Sequence, residues 1–415
     1  MIRIENLIGG DFVSPSEFFD DISPLDGTVI AKIPRTKDAE DAVAAAEKAQ
    51  SQWSGLSLLQ RCDWLDKIAD SLESQIDELA RLESLDTGKP HHVALNVDAE
   101  RSVNNFRFFA QFGRKMESET FKMPDATNYV MRKPIGIVGL ISPWNLPLYL
   151  LSWKVAPALL MGNTIIAKPS EITPITAHFL GKVCTDIGLP DGVLNIVHGY
   201  GPEIGQAIVE HPKIRAISFT GGTATGKVVA ATAAPMFKKL SLELGGKNAS
   251  IIMEDADLDI AVPGVLRASF LNSGQICLCG SRVLIHSSIY DEFMSRYLEQ
   301  LQSFEIGPVI SDSHRDKVMS YVELAKEEGG NILAGGNIPD KPGSWIEPTV
   351  IGGLSHKSRT ATEEIFGPVV TIHQFDSDDE AIQMANSTQY GLAGSVWSKN
   401  KGRTIAEKID SGMVW

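Results

Sequence analysis

From residue 38 to residue 112 apolar positions recur every third or fourth residue, and this part of the chain reads as helix. Residues 38–50 are rich in alanine and carry acids in the opening turn, where the helix dipole favours them. Residues 58–85 place Leu58, Cys62, Leu65, Ala69, Leu72, Ile76, Leu79 and Leu82 three or four apart, which predicts one amphipathic helix stopping near Gly88. A third helical pattern covers 100–112. Between 114 and 134 the pattern becomes irregular and partly alternating, as expected of a protruding hairpin. Short apolar runs at 135–141, 164–168, 193–197 and 216–219 then alternate with helical segments at 148–161, 174–187, 202–210 and 225–233. After residue 248 the alternation resumes, with strands expected at 249–253, 282–286, 346–351, 369–375 and 394–397. The helices between them are expected at 257–270, 289–303, 313–328 and 378–386. This order predicts the α/β class: parallel sheets covered by helices, first in a nucleotide-binding type of domain and then in a second α/β domain.

A chain of 415 residues suits two or three domains. Its 52 acidic against 38 basic residues, a net charge of −14, weigh against a nucleic-acid or anionic-membrane surface. No stretch approaches the ~20 apolar residues of a membrane span, and the N-terminus does not read as a targeting peptide. Four cysteines make no disulfide framework, so a cytoplasmic, reducing setting is expected.

Several short stretches could carry chemistry. "HGYGPEIG" (198–205) and "FTGGTATG" (219–226) each follow a strand and open a helix, where glycines and free N–H groups suit a pyrophosphate. Neither is the G-x-G-x-x-G fingerprint, and either is also an ordinary strand-to-helix turn. In "AKPSE" (167–171) Lys168 and Glu171 suit a ribose diol, with the carboxylate disfavouring a 2′-phosphate; the pair also fits a solvated loop and cap. Cys277 and Cys279 in "NSGQICLCG" are too close for a disulfide in regular structure. Cys62 and Cys184 read as small core residues, and nine histidines show no metal-ligand spacing, so no metal is expected. Cys277 is thus a nucleophile or a core filler. Glu243, between Leu242 and Leu244, is either a base with a raised pKa or a salt-bridged strand residue. Asn145 in "SPWNLP" is an oxyanion donor or a turn former.

Together "SPWNLP", "GNTIIAKPSE", "GYGPEIG", "SFTGGTATG", "LELGGKN", "FLNSGQICLCGSR" and "TEEIFGPV" resemble the aldehyde dehydrogenase superfamily, in its order and over nearly the whole chain. Within it, "NFRFFA", the run at 141–171 and "GQICLC" look most like the aminomuconic semialdehyde branch of tryptophan catabolism, with the hydroxymuconic branch close by. The resemblance implies an aldehyde dehydrogenase-like fold: a Rossmann-type NAD-binding domain (1–113 and 135–245), an oligomerisation hairpin (114–134) and a catalytic domain (246–415). It implies NAD-dependent oxidation of a small aldehyde to an acid through a thiohemiacetal and a thioester on Cys277. Asn145 and the Cys277 N–H would hold the oxyanion, and Glu243 would activate water. Ser142, Trp144, Lys168, Glu171, Gly201, Gly205, Gly221, Gly222, Glu364 and Phe366 match cofactor positions, although Gly222 stands where the family often has serine. Arg101, Trp153, Ile276 and Leu278 match substrate-tunnel positions; Arg101 would meet a substrate carboxylate, or else be a surface arginine, and Arg107 lies on the same helix. Cys279 reads as a neighbour only.

Two departures from the superfamily pattern stand out. The chain lacks a glycine-rich segment and final strand after "SGMVW", and part of the stretch at 301–311. An incomplete catalytic domain with an unpaired sheet edge is therefore expected. The homo-oligomer that the resemblance implies, a dimer or tetramer, would depend on that strand. Other aldehydes as substrate, and a catalytically weak form acting by association, are the competing expectations.

Overall fold

The computed structural model describes residues 1–415. The chain divides into two compact units. The first comprises Met1–Ser23, Thr28–Thr87 and His91–Glu243, and the second Pro24–Gly27, Gly88–Pro90 and Leu244–Trp415.

The first unit opens with five short strands, β1 (Ile2–Arg3), β2 (Asn6–Ile8), β3 (Asp11–Val13), β4 (Phe18–Ile22) and β5 (Val29–Pro34). Three helices follow: α1 (Glu40–Gly55), α2 (Leu58–Glu73) and α3 (Ile76–Thr87). The single helix expected over 58–85 is therefore two. The chain turns at Ser74–Gln75, where both side chains donate to the carbonyl of Ser71. Leu72, Ile76 and Leu79 keep helical spacing across the break, so periodicity cannot register it. A short α4 (His91–Val93) and a π-helical turn lead into α5 (Glu100–Arg114), then the two-stranded ribbon β6 (Thr120–Lys122) and β7 (Thr127–Tyr129).

The remaining elements alternate: β8 (Ile137–Ile141), α6 (Pro147–Leu160), β9 (Thr164–Lys168), α7 (Ile175–Asp186), β10 (Leu194–Ile196), α8 (Gln206–Glu210), β11 (Ile214–Thr220), α9 (Thr223–Ala233) and β12 (Lys239–Glu243). The segment expected as a helix over 202–210 begins as a π-turn at Gly201–Gly205. The sheet order is β12-β11-β8-β9-β10-β2-β3, parallel from β12 to β10, with β2 and β3 antiparallel. Strand β9 is buried throughout, as a strand covered on both faces must be. Its core joins α1, α2, α5, α6 and α7 to β8, β9 and β10 around Trp53, whose indole N–H donates to the Leu159 carbonyl at 3.1 Å.

The second unit runs β13 (Ala249–Ile252), α10 (Leu258–Phe270), β14 (Arg282–His286), α11 (Tyr290–Leu301), α12 (Asp312–Glu327), β15 (Asn331–Ala334), β16 (Thr349–Gly352) and α13 (Arg359–Thr362). It ends with β17 (Val369–Phe375), α14 (Asp378–Ala385), β18 (Ala393–Trp397), α15 (Gly402–Ala406) and β19 (Met413–Val414). The order is β15-β16-β17-β14-β13-β18-β19, parallel except for β15. Ile252 joins the cluster under α10 and α11, whereas Ile251 joins the one under α14 and α15. Successive strand residues thus feed opposite faces of the sheet.

Gly113 sets how closely α5 approaches α2 and α6. A Cβ there would lie 2.6 Å from both Cys62 Sγ and Leu160 Cδ1. Gly113→Ala gains about 1 kcal/mol of helix propensity, against an overpacking cost of about 1–3 kcal/mol. We expect a net loss, measured as a lower urea midpoint with an unchanged m-value.

Candidate functional site

In the first unit the chain runs from β8 outward through β9 to β10, then returns to the other side of β8 for β11 and β12. Loops after β8 and β11 therefore part company, and a crevice opens at the carboxyl ends of the strands. A cavity of about 630 Å³ lies there. It brings together Ser142 and Trp144 after β8, Lys168 at the end of β9 and Glu171 beyond it, Gly201 and Gly205 after β10, and Gly221 and Gly222 after β11. Asn145, three residues beyond Ser142, is buried.

Lys168 is fully enclosed, and burial pushes its pKa down. Its Nζ donates to Glu171 Oε2 at 2.7 Å and to the Pro169 carbonyl at 2.9 Å. Burial alone would raise the Glu171 carboxyl. The Lys168 ammonium and its hydrogen bond outweigh that, so the carboxyl lies below its usual range. The other oxygen, Oε1, accepts from the Gly201 N–H at 3.4 Å. Gly222 is the N-cap of α9 and has no side chain to close its orphan amides. Ser142 Oγ is buried without a hydrogen-bond partner. A wall with an unsatisfied hydroxyl, free helix amides and an ammonium–carboxylate pair fits a dinucleotide.

Glu243 ends β12, the edge strand of this sheet. The expectation of an apolar pocket around it does not hold. Leu240 and Leu242 are half-buried while Lys239, Ser241 and Glu243 are exposed, because neighbours along a strand point to opposite faces. The residue that sequence reasoning missed here is Lys154 on α6. It is 7% exposed, and its Nζ donates to Ser218 Oγ at 3.0 Å. Burial pushes it down to about 8, and the Glu243 charge opposes that shift. Its only sequence signal was a lysine inside an otherwise apolar helix.

Arg101 is exposed on α5. Arg107, one turn and a half further on, pairs with Asp70 and Glu73 of α2. Trp153 is half-exposed on α6, its ring centroid 6.0 Å from that of Phe108 and 5.2 Å from that of Phe109.

In the second unit the nucleophile candidate lies at the amino ends of the strands. Between α10 and β14 the chain passes through Asn272, Ser273 and Gly274 at φ of 52°, 56° and 70°, three left-handed residues in succession. It then presents Ile276, Cys277 and Leu278, all half-buried, and returns inward at Cys279. Asn248, just before β13, holds this loop: Nδ2 donates to the Cys277 carbonyl at 2.7 Å and to the Cys279 carbonyl at 3.0 Å. Its Oδ1 accepts the Ala393 N–H at 3.0 Å. Cys279 is buried and its thiol is pushed up to about 12. Asn248 was visible in the sequence only as the last letter of "LELGGKN".

Glu364 Oε1 accepts from the Gly246 N–H at 2.9 Å, and burial pushes this carboxyl up. Phe366 follows at φ 63°, left-handed although it is not glycine. Lys247 is fully buried, donates to the Thr360 carbonyl at 2.8 Å, and is pushed down to about 7 by burial and by Arg282. No helix is long and apolar enough to cross a membrane.

Residues 12–415 match the model of the aldehyde dehydrogenase family. The chain is 45% identical to the 2-aminomuconic semialdehyde dehydrogenase of Mus musculus, covering 100% of this chain and 90% of that protein. It is 42% identical to the 2-hydroxymuconic semialdehyde dehydrogenase of Pseudomonas sp. strain CF600, covering 100% and 91%. Its fold superposes with TM-score 0.97 on the NAD⁺ complex of an aldehyde dehydrogenase from Bacillus cereus, at 38% identity, covering 100% and 88%.

The buried Lys154 yields a pH prediction. Its folded-state pKa lies below the unfolded value, so the unfolded chain binds the extra proton and stability rises with pH across the interval. Relative to Lys154→Met, the protein should gain stability between pH about 8 and 10.5 and show a constant difference below that interval. Urea midpoints of both proteins on either side of it measure the effect.

Proposed function

This chain belongs to the aldehyde dehydrogenase family, and from that premise we propose that it oxidises a carboxylate-bearing semialdehyde of the muconic type with NAD as acceptor. The observation that carries the cofactor reading is the enclosed Lys168–Glu171 pair beside the strand-end cavity. A ribose diol can accept from the Lys168 ammonium and donate to the Glu171 carboxylate, while a 2′-phosphate would meet that carboxylate. The substrate reading rests on relatives: proteins named for aminomuconic and hydroxymuconic semialdehydes are 45% and 42% identical to it. The hydroxymuconic substrate is the second reading, favoured by the latter identity.

In this reading the Cys277 thiol gives its proton to solvent and Sγ attacks the aldehyde carbon, the C=O pair moving onto oxygen to form the thiohemiacetal oxyanion. The Asn145 amide and the Cys277 N–H stabilise the oxyanion. Lys168, Glu171, the turns at Gly201–Gly205 and Gly221–Gly222, and Glu364 and Phe366 would hold NAD, which would accept the hydride lost from that carbon. Glu243 takes a proton from water as that water attacks the resulting thioester, then passes it to the departing Cys277 sulfur, which frees the acid and restores both groups. Trp153, Ile276 and Leu278 offer the apolar contacts of a substrate wall, and Arg101 the charge for a distal carboxylate. The first unit is the NAD-binding domain, the second the catalytic domain, and the β6–β7 ribbon an oligomerisation element.

Purified protein should form NADH with aminomuconic or hydroxymuconic semialdehyde, and Cys277→Ser should abolish this while retaining NAD binding. NADH formation by Cys277→Ser at the wild-type rate would overturn the assignment. Arg101→Ala should raise KM for semialdehyde acids by about tenfold or more, as loss of a charged hydrogen bond would, with little change for uncharged aldehydes. Glu171→Gln should relax the preference for NAD over NADP, measured as the ratio of the two kcat/KM values.

A further inference from the structure

The segment between α11 and α12 touches both reactive elements of the second unit. Ser273 Oγ donates to the Gly307 carbonyl at 2.7 Å. Gln275 Oε1 accepts the Ile310 N–H at 2.9 Å, while its Nε2 turns back to the Asn272 carbonyl at 3.1 Å. Both side chains are buried, Gln275 at 3% exposure and Ser273 at 1%. They grip the chain four and two residues before Cys277, within and just past the left-handed stretch. Four residues past Ile310, at the start of α12, His314 Nε2 lies 2.6 Å from the Phe366 carbonyl, with the two rings edge to face. A carbonyl only accepts, so Nε2 carries the proton. The two gripped elements also meet directly: a Cβ on Gly274 would collide with the Gly367 carbonyl. Left-handed backbone is disfavoured at residues other than glycine. Asn272, Ser273 and Phe366 all adopt it, so each needs an external hold.

We propose that Gly307–His314 is a brace that fixes the nucleophile loop and the Phe366 turn relative to each other, with Gln275 and His314 as its positioning residues. The inference rests on the roles proposed above for Cys277 and Phe366. Gln275 acts through the loop that carries Cys277, and His314 through the backbone that carries the Phe366 ring. Neither is required to touch the substrate or the cofactor.

The test compares His314→Ala, His314→Gln and Gln275→Ala with wild type, using two readouts independent of turnover. The first is calorimetric affinity for NAD and for ADP-ribose, which lacks the nicotinamide ring. His314→Ala should weaken NAD by about tenfold, the loss of one well-made hydrogen bond, and leave ADP-ribose within about twofold. His314→Gln, which keeps an N–H donor, should recover most of the loss. The second is the rate of Cys277 alkylation by iodoacetamide in cofactor-free protein, which Gln275→Ala should change several-fold. Equal weakening of NAD and ADP-ribose by His314→Ala, or a glutamine variant as impaired as alanine, would overturn the proposal. So would an alkylation rate unmoved by Gln275→Ala. ADP-ribose binding also reports folding, and should His314→Ala fail to fold, a His314→Gln protein unlike wild type in its NAD to ADP-ribose ratio overturns it alone. Wild-type protein that binds no NAD, or whose Cys277 does not alkylate, would instead overturn the functional reading on which the brace rests.

Discussion

The loop that carries Cys277 in the second unit depends on one buried carboxamide. Asn248 uses both hydrogens of its amide on the carbonyls of Cys277 and Cys279, and its oxygen on the N–H of Ala393. Its own carbonyl accepts from the Arg282 N–H at 3.1 Å. One residue at the head of β13 therefore ties the Cys277 loop to β14 on one side and β18 on the other. Only a side chain with two donors and an acceptor in one plane can do this. Aspartate would turn two carbonyls against a carboxylate, and a leucine would leave three buried polar groups unpaired at about 1–3 kcal/mol each. The half-buried thiol between these anchors is presented by a loop with little freedom to withdraw.

Buried lysines form a second theme, and each is treated differently. Lys168 keeps a carboxylate partner, Lys247 has carbonyl company, and Lys154 has a hydroxyl and the more distant charge of Glu243. Burial pushes all three down, to about 7 for Lys247 and about 8 for Lys154. An ammonium inside a protein survives only where dipoles or charges replace its water. The partners differ, from a full ion pair at Lys168 to a hydroxyl and a more distant charge at Lys154.

The alternation of apolar runs and helical stretches carried most of the architecture, because strands buried on both faces must be continuously apolar. The strands at 164–168, 282–286 and 369–375 match residue for residue. The N-terminal strands escaped notice: β2 and β3 are three residues each, and their stabilisation comes from β10, far along the chain. The setting of Glu243 was misjudged because flanking leucines imply a pocket only if they share its face. The strand-end rule for parallel sheets located the cavity of the first unit. In the second unit Cys277, Asn248 and Phe366 all precede their strands, so that rule points to the wrong end. Asn248, Gln275 and His314 stayed invisible for a common reason: each works through backbone groups of another segment, and backbone partners leave no mark on a sequence.

The placement of β2 has a bearing on how the protein is made. Leu7 pairs with Ile196, and the Gly9 N–H meets Asn195 Oδ1 across a separation of 186 residues. On the ribosome the first dozen residues emerge long before the strand they flank exists. They must wait, with Leu7 and Ile8 uncovered, while the helices and central strands that follow are synthesised. Closing so long a loop is entropically costly and comes late. Pairing of β2 with β10 is thus a contact that can form only after residues 194–196 have been made, and it carries a loop-closure cost that local strand pairs avoid.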